Sequence, residues 1–299
     1  MHLSLSGGGA RGLMYAAFFE RLNETPLGRK VLEDIGSISG VSAGALVATP
    51  LAMRVDPAEI AAEMESGGLN SWMHWPRALL TAVGVWSSMY DGESMYSRLE
   101  AMTKGRHLKM PISLGVTTSG MKQKSLLYTP SNSVPSVLNC AVASAAVPVL
   151  FSQRNVNPLG MTCDGGAVKC TFPVDAILSA IRAGNEVTLF NAAPWPGFRE
   201  VIGTRNERIF GNAFDVFNEH GMEWIPGELG PGFRYHDGIF RYGKVTFVAP
   251  TGAQYAASGG TKGAGNIFYT ANSDFTMRLR AEGMEIADSF IRKKMARHI

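Results

Sequence analysis

A five-residue segment, Gly40-Val41-Ser42-Ala43-Gly44, lies between an apolar run at residues 35–38 and a run of small residues at 45–48. The pattern Gly-x-Ser-x-Gly between a strand and a helix is typical of a nucleophile elbow, a sharp and strained turn that exposes the serine hydroxyl. Gly40 and Gly44 fit such a turn because a side chain at either position would collide with the neighbouring strand or helix. An ordinary Ser/Gly turn is the alternative, because 34 of the 299 residues are glycine.

The amino terminus predicts a second strand-to-helix connection. Residues 2–6 resemble a strand, residues 7–12 read Gly-Gly-Gly-Ala-Arg-Gly, and an apolar helix is expected from residue 13 onward. Backbone N–H groups in a glycine loop ahead of a helix point toward the solvent side of the turn, and the helix dipole adds positive charge there. The loop is therefore predicted to bind an anion.

Two kinds of anion are compatible with this loop. Gly7, Gly9 and Gly12 match the dinucleotide fingerprint Gly-x-Gly-x-x-Gly, which requires an acidic residue about twenty positions later at the end of the second strand. Glu33 and Asp34 have roughly that spacing, but they precede the second predicted strand. The alternative is an oxyanion hole made by N–H groups of this loop, and the Gly-x-Ser-x-Gly segment that follows favours it.

A third motif, Cys163-Asp164-Gly165-Gly166, follows an Ala-rich segment at 141–151 that contains Ser144 and Pro148. With a glycine loop, Gly-x-Ser-x-Gly and Asp-Gly-Gly in this order, the chain resembles the patatin-like phospholipase family. The resemblance extends to residues 244–250 and to the helix expected after residue 274, so it covers most of the chain. One departure lies after Asp164: residues 169–172 lead to Pro173 without the asparagine that the family usually has there.

The resemblance implies an α/β fold with three layers, α/β/α, and a largely parallel central sheet. It also implies a serine acyl hydrolase that needs no metal or cofactor and cleaves phospholipid or lysophospholipid. In that activity Ser42 is the nucleophile, Asp164 the direct base, and Gly8, Gly9 and Arg11 the oxyanion hole. The charge of Arg11 either aids the anion or braces the loop. The motif glycines are Gly7, Gly12, Gly40, Gly44, Gly165 and Gly166.

Two other interpretations stay open at this point. A Ser-His-Asp triad in the α/β-hydrolase chain order would use His220 or His236 as the base. A catalytically silent lipid-binding or dinucleotide-binding module would keep the fold without the reaction.

Composition predicts one soluble, cytoplasmic domain over residues 1–299 that makes transient contact with membrane surfaces. The net charge is +3 and Lys and Arg are scattered, which does not indicate a nucleic-acid partner. No signal peptide or transmembrane segment is evident, and three cysteines are too few for a disulfide framework.

Strands are predicted at residues 3–6, 35–39, 112–117, 125–128, 187–191 and 245–248. Helices are expected after residues 12, 42, 57, 93, 136 and 174, and a last one from about 272–274. On that last helix the spacing predicts a core-facing stripe of Met277, Ala281, Met284, Ile291 and Met295.

Two segments do not fit this alternation. Residues 195–242 are rich in Gly, Pro and aromatic residues and predict an irregular excursion, either a cap over the site or a packed insertion. Residues 69–90 contain Trp72, Trp75 and Trp86 and predict either a buried helical hairpin or a lipid-facing lid.

Overall fold

The computed structural model describes residues 1–66, 92–148, 150–167, 172–194, 238–259 and 273–296. Its strands are β1 (His2–Leu5), β2 (Ser37–Val41), β3 (Ile112–Thr118), β4 (Gln123–Tyr128), β5 (Arg154–Val156), β6 (Gly160–Asp164), β7 (Val187–Phe190), β8 (Phe240–Tyr242) and β9 (Val245–Val248). Its helices are α1 (Gly12–Asn23), α2 (Pro26–Glu33), α3 (Ala43–Ala52), α4 (Pro57–Ser66), α5 (Glu93–Thr103), α6 (Val134–Ser144), α7 (Val174–Arg182), α8 (Gly252–Ala257) and α9 (Asp274–Met295), and a 3-10 turn spans Gly9–Arg11.

The described strands form one sheet with a parallel centre. Strands β3, β2, β1, β7 and β9 run parallel in that order, while β8 pairs antiparallel with β9 and β4 pairs antiparallel with β3. The predicted α/β class and largely parallel sheet are therefore confirmed. Each predicted strand is present with ends within two residues of the expected ones.

Strand β3 brings two distant strands end to end. β4 and β6 both pair with Val116 and Thr117, so they lie on opposite edges of β3. β2 and β4 both pair with the start of β3, which places β2 on the same edge as β6. β2 ends with Val41 opposite Gly115, and β6 arrives from the other direction with Asp164 opposite Val116. The residues that follow the two strands therefore meet.

Apolar side chains cover both faces of the sheet. The larger cluster packs α1, α3, α6 and α9 against one face, and alternate strand residues such as Val187 and Leu189 pack with α7 on the other. At the centre of the larger cluster Phe18 makes edge-to-face contacts with Phe190 and Phe290, with ring centroids 4.7 and 5.7 Å apart. This arrangement gives the predicted three layers.

The predicted apolar stripe of α9 is wrong. Met277 and Met295 are 54% and 49% exposed, Ala281 is exposed, and Ile291 is the one buried member of the predicted set. The buried face instead carries Phe275, Leu279, Glu282, Ile286 and Phe290. A charged residue interrupts this face in the sequence, but in the fold its charge is paired with Arg11.

The sequence analysis did not predict several elements that the structure contains. These are α2, α8, and the short strands β5, β6 and β8. The end of the predicted excursion, Phe240–Tyr242, is strand β8, whereas residues 195–237 and the tryptophan-rich segment at 69–90 lie outside the described residues. No helix in the described part of the chain has the length and apolar character needed to cross a bilayer.

Candidate active site

Ser42 lies in the predicted turn between β2 and α3. Its backbone angles, φ 53° and ψ −125°, fall in a region that is essentially restricted to glycine. The turn is tight because Gly40 and Gly44 allow close approach. A Cβ on Gly40 would lie 2.6 Å from the carbonyl oxygen of Gly44, and one on Gly44 would lie 2.5 Å from that of Leu5. The segment is therefore a strained strand-to-helix elbow, as its sequence predicts.

Asp164 lies directly beside this elbow. The Ser42 hydroxyl donates a hydrogen bond of 2.6 Å to Asp164 Oδ2, although the two residues are 122 positions apart. The second carboxylate oxygen, Oδ1, accepts the backbone N–H of Gly166 at 2.7 Å. The Asp-Gly-Gly turn thus supplies a bond to its own carboxylate, in a chain that lacks the family's usual asparagine after this motif.

Burial changes the acid strength of Asp164. The carboxyl is only 6% exposed, and desolvation raises its pKa to about 6, against the opposing effect of the hydrogen bonds from Ser42 and Gly166. A carboxylate with this pKa is a stronger base than an ordinary surface aspartate and is still mostly ionised at neutral pH.

The end of α6 connects the two loops. Ser144 Oγ accepts the backbone N–H of Ser42 at 2.9 Å and donates to the carbonyl of Gly115 at 2.5 Å. Its own carbonyl accepts the N–H of Gly165 at 3.1 Å, and the Ala146 carbonyl accepts the N–H of Asp164 at 2.9 Å. One helix terminus therefore positions both the elbow and the Asp-Gly-Gly turn.

The glycine loop packs against the elbow. A Cβ on Gly8 would lie 2.4 Å from the Cβ of Ala192, so this position requires glycine, and one on Gly12 would lie 3.0 Å from the Cβ of Ala43, a tight contact with the elbow. Among the described residues, no hydrogen bond uses the N–H groups of Gly7, Gly8 or Gly9, and these residues are at least partly exposed. The loop thus carries available donors next to Ser42.

Arg11 turns its side chain away from solvent. The residue is 1% exposed, and its guanidinium donates to the Ala192 carbonyl at 2.5 Å, to Ser258 Oγ at 3.0 Å and to Glu282 Oε1 at 2.5 Å. It also lies over the ring of Tyr255, 4.5 Å from the centroid. Burial raises the pKa of Glu282, and the guanidinium opposes that rise. These contacts favour the bracing interpretation of Arg11.

A family model described as patatin-like phospholipase matches residues 3–178, which is more than half of the chain. The chain belongs to this family. The matched region contains the glycine loop, the elbow and the Asp-Gly-Gly turn.

A curated relative agrees with this assignment. The chain is 32% identical over 178 residues to a cGAMP-activated phospholipase of Pseudomonas aeruginosa, an alignment that covers 56% of this chain and 52% of the relative. The chain therefore spans about half the length of this curated relative.

One solved structure with a TM-score of 0.50 shows a similar fold at low identity. Human GIVD cytosolic phospholipase A2, in complex with methyl gamma-linolenyl fluorophosphonate, has a TM-score of 0.50 at 10% identity over 100% of this chain and 60% of that one. VipD from Legionella pneumophila has a TM-score of 0.49 at 14% identity, over 96% and 66%.

Sequence reasoning missed two residues at this site of the patatin-like chain. Glu282 could have been predicted from the sequence, because it is an acid at helical spacing between Leu279 and Ile286. Such a position indicates a buried side chain with an ionic partner. For Ser144 the sequence shows only that it lies in the Ala-rich segment. Its contact with Ser42 could not be predicted, because that contact depends on the packing of α6. Of the predicted alternative bases, His220 and His236 lie outside the described residues.

Proposed function

We propose that this chain is a serine acyl hydrolase that cleaves fatty-acyl esters of phospholipids or lysophospholipids. The observation that carries the proposal is the direct hydrogen bond of 2.6 Å from the Ser42 hydroxyl to Asp164, at a strained elbow beside available N–H donors. Membership in the patatin-like phospholipase family supports the substrate class.

In the first step Ser42 Oγ forms a bond to the ester carbonyl carbon, and its proton moves to Asp164 Oδ2. The carbonyl oxygen becomes an oxyanion, and we assign its stabilisation to the N–H groups of Gly8 and Gly9. When the tetrahedral intermediate collapses, the ester C–O bond breaks and Asp164 returns the proton to the leaving alcohol. The fatty-acyl group then remains on Ser42.

In the second step water attacks the acyl-serine. Asp164 accepts a proton from the water, a second oxyanion forms in the loop, and its collapse releases the fatty acid and returns the proton to Ser42 Oγ. Both steps need Asp164 as the carboxylate. Because burial raises its pKa to about 6, the rate should rise with pH through about 6 and level off above it.

A triad is the runner-up mechanism. In a triad the aspartate binds a histidine, whereas both oxygens of Asp164 are engaged by Ser42 and Gly166. Dinucleotide binding is disfavoured because Glu33 ends α2 and precedes β2, where the fingerprint requires an acid at the end of the second strand.

A fluorophosphonate probe tests the mechanism, because only an activated serine reacts with it. We expect the wild type to be labelled, Ser42→Ala to be unlabelled and inactive, and Asp164→Asn to lose at least about a thousandfold in rate. His220→Ala and His236→Ala should each lose far less. A folded histidine variant as inactive as Ser42→Ala would favour the triad.

Hydrolysis is assayed on diacyl phospholipid, on lysophospholipid and on a soluble short-chain ester, with product analysis to assign the bond cleaved. Each assay is run with and without cGAMP, because the Pseudomonas relative is cGAMP-activated and a latent enzyme would otherwise register as inactive. Absence of labelling and of hydrolysis under both conditions would contradict the proposed function.

A further inference from the structure

The hairpin between β3 and β4 extends past the nucleophile. Val41, next to Ser42, pairs with Gly115, and β3 continues to Thr118 before the chain turns at 119–122. At the start of β4, Gln123 Nε2 donates to the carbonyl of Gly165 at 2.7 Å. The tip of this hairpin, residues 119–124, therefore lies beside the turn that holds Asp164.

Three exposed apolar side chains lie on this tip and on the segments next to Asp164. Met121 is 62% exposed at the turn itself, Met161 is 46% exposed in β6, and Val147 is 40% exposed. Val147 follows Ala146, whose carbonyl binds the Asp164 N–H. Single exposed apolar residues need no explanation, but here three lie on segments that contact or contain Asp164.

The tip itself carries two positive charges, Lys122 and Lys124. The other cations of the acid-free stretch 101–163 lie before β3 or in β5, and two of them, Arg106 and Arg154, pair with Glu59 and Glu93. Lys122 and Lys124 are exposed, and within the described residues neither forms an ion pair. The register places Lys124 and Asp164 on either side of Val116, on one face of the sheet.

We infer that the hairpin tip docks on a lipid surface that carries anionic headgroups, with Met121 inserting among the lipids and Lys122 and Lys124 binding the headgroups. The inference rests on the proposed function, since it concerns how a lipid substrate is presented to Ser42. Lysines near an anionic membrane and an apolar side chain at its interface both favour this partner.

Binding is measured separately from hydrolysis, in a Ser42→Ala background, by sedimentation with vesicles rich in phosphatidylglycerol or made of phosphatidylcholine alone. The double change Lys122→Glu with Lys124→Glu should weaken binding to the anionic vesicles by at least about thirtyfold. Met121→Ser should weaken it by about tenfold. Added salt should weaken wild-type binding.

The matched control is Lys104→Glu with Lys109→Glu, which changes the charge equally in the same acid-free stretch but before the start of β3. This control should bind nearly as the Ser42→Ala parent does, and all variants should keep its melting temperature. Equal binding by the tip and control variants, or no preference for anionic vesicles in the parent, would overturn the inference.

An activity arm separates this inference from the proposed function. With Ser42 intact, the tip variants should be slow on anionic vesicles and unimpaired on the soluble ester. If no variant hydrolyses either substrate but the binding differences hold, the proposed function fails and the docking surface stands. If hydrolysis of vesicles is insensitive to the tip, the docking surface fails and the hydrolase stands.

Discussion

At the scale of single residues, the two central groups of the site both oppose stability. Ser42 holds a backbone conformation that only glycine adopts without strain, and Asp164 is a buried carboxylate that forms no ion pair within the described residues. The proposed function explains why such features persist, since strained backbone and perturbed acids concentrate at active sites. Each feature predicts a difference in stability that inactive variants should reveal.

Ser42→Gly should be more stable than Ser42→Ala. Both variants lack the hydroxyl and its bond to Asp164, but only glycine relieves the strain at φ 53°. The expected difference is about 1–3 kcal/mol in the free energy of unfolding, measured by urea denaturation. Equal stability of the two variants would show that the elbow stores no backbone strain.

Asp164→Asn should raise stability at neutral pH. The folded-state pKa is raised to about 6 from an ordinary 3.8, so the folded protein binds more protons between these values and wild-type stability falls as pH rises through that window. The gain from Asn should reach up to about 3 kcal/mol at pH 7 and vanish below about pH 4.

Urea denaturation across this pH range measures the effect, and Asp175→Asn on the exposed start of α7 is the control. The control should change stability by less than about 1 kcal/mol. An Asp164→Asn variant that is less stable than the wild type at every pH would contradict the desolvation argument.

At the scale of elements, the glycine loop is tied to α9 by the buried pair of Arg11 and Glu282. Glu282→Leu leaves a buried guanidinium without its partner and should lower stability by about 3–5 kcal/mol, measured by thermal and urea unfolding. Adding Arg11→Met should restore most of that loss. Asp274→Asn, which breaks an exposed pair with Arg278 on the same helix, should change stability by less than about 1 kcal/mol.

The double variant also decides the role of Arg11. If Arg11 braces the loop, the stable double variant should react with fluorophosphonate within about tenfold of the wild-type rate. If its charge stabilises the oxyanion, the double variant should be stable yet lose at least about a hundredfold. The second outcome would contradict the bracing role.

Some of these elements can be predicted from the sequence and others cannot. Strands β1 and β2 and helices α1 and α3 were predictable because propensity, apolar pattern and glycine positions agree there. Strand β6 was not, because its five residues form a strand through pairing with β3 and β5 rather than through their own preference. The buried face of α9 was predicted wrongly because it contains Glu282. The burial of this acid requires its ion pair with Arg11, which is a contact between distant elements.

At the scale of the whole molecule, Ser42 and Asp164 meet because β2 and β6 approach each other end to end along β3. The motifs indicate both residues, but this topology does not follow from either motif alone, since β6 reverses direction after α6. The rest of the sheet lies beyond the family match: β1 pairs with β7, and β7 pairs with β9. The matched region therefore holds Ser42, Asp164 and the glycine loop, and only part of the core.

This division predicts the behaviour of a fragment that contains residues 1–178. Without β7, strand β1 has an unpaired edge, and without β7 and α9, Phe18 loses its contacts with Phe190 and Phe290. The fragment should aggregate, show no cooperative thermal transition and fail to react with fluorophosphonate, and co-expression with residues 179–299 should restore labelling. A soluble fragment that unfolds cooperatively and is labelled at Ser42 would instead place a domain boundary near residue 178 and contradict a single domain over residues 1–299.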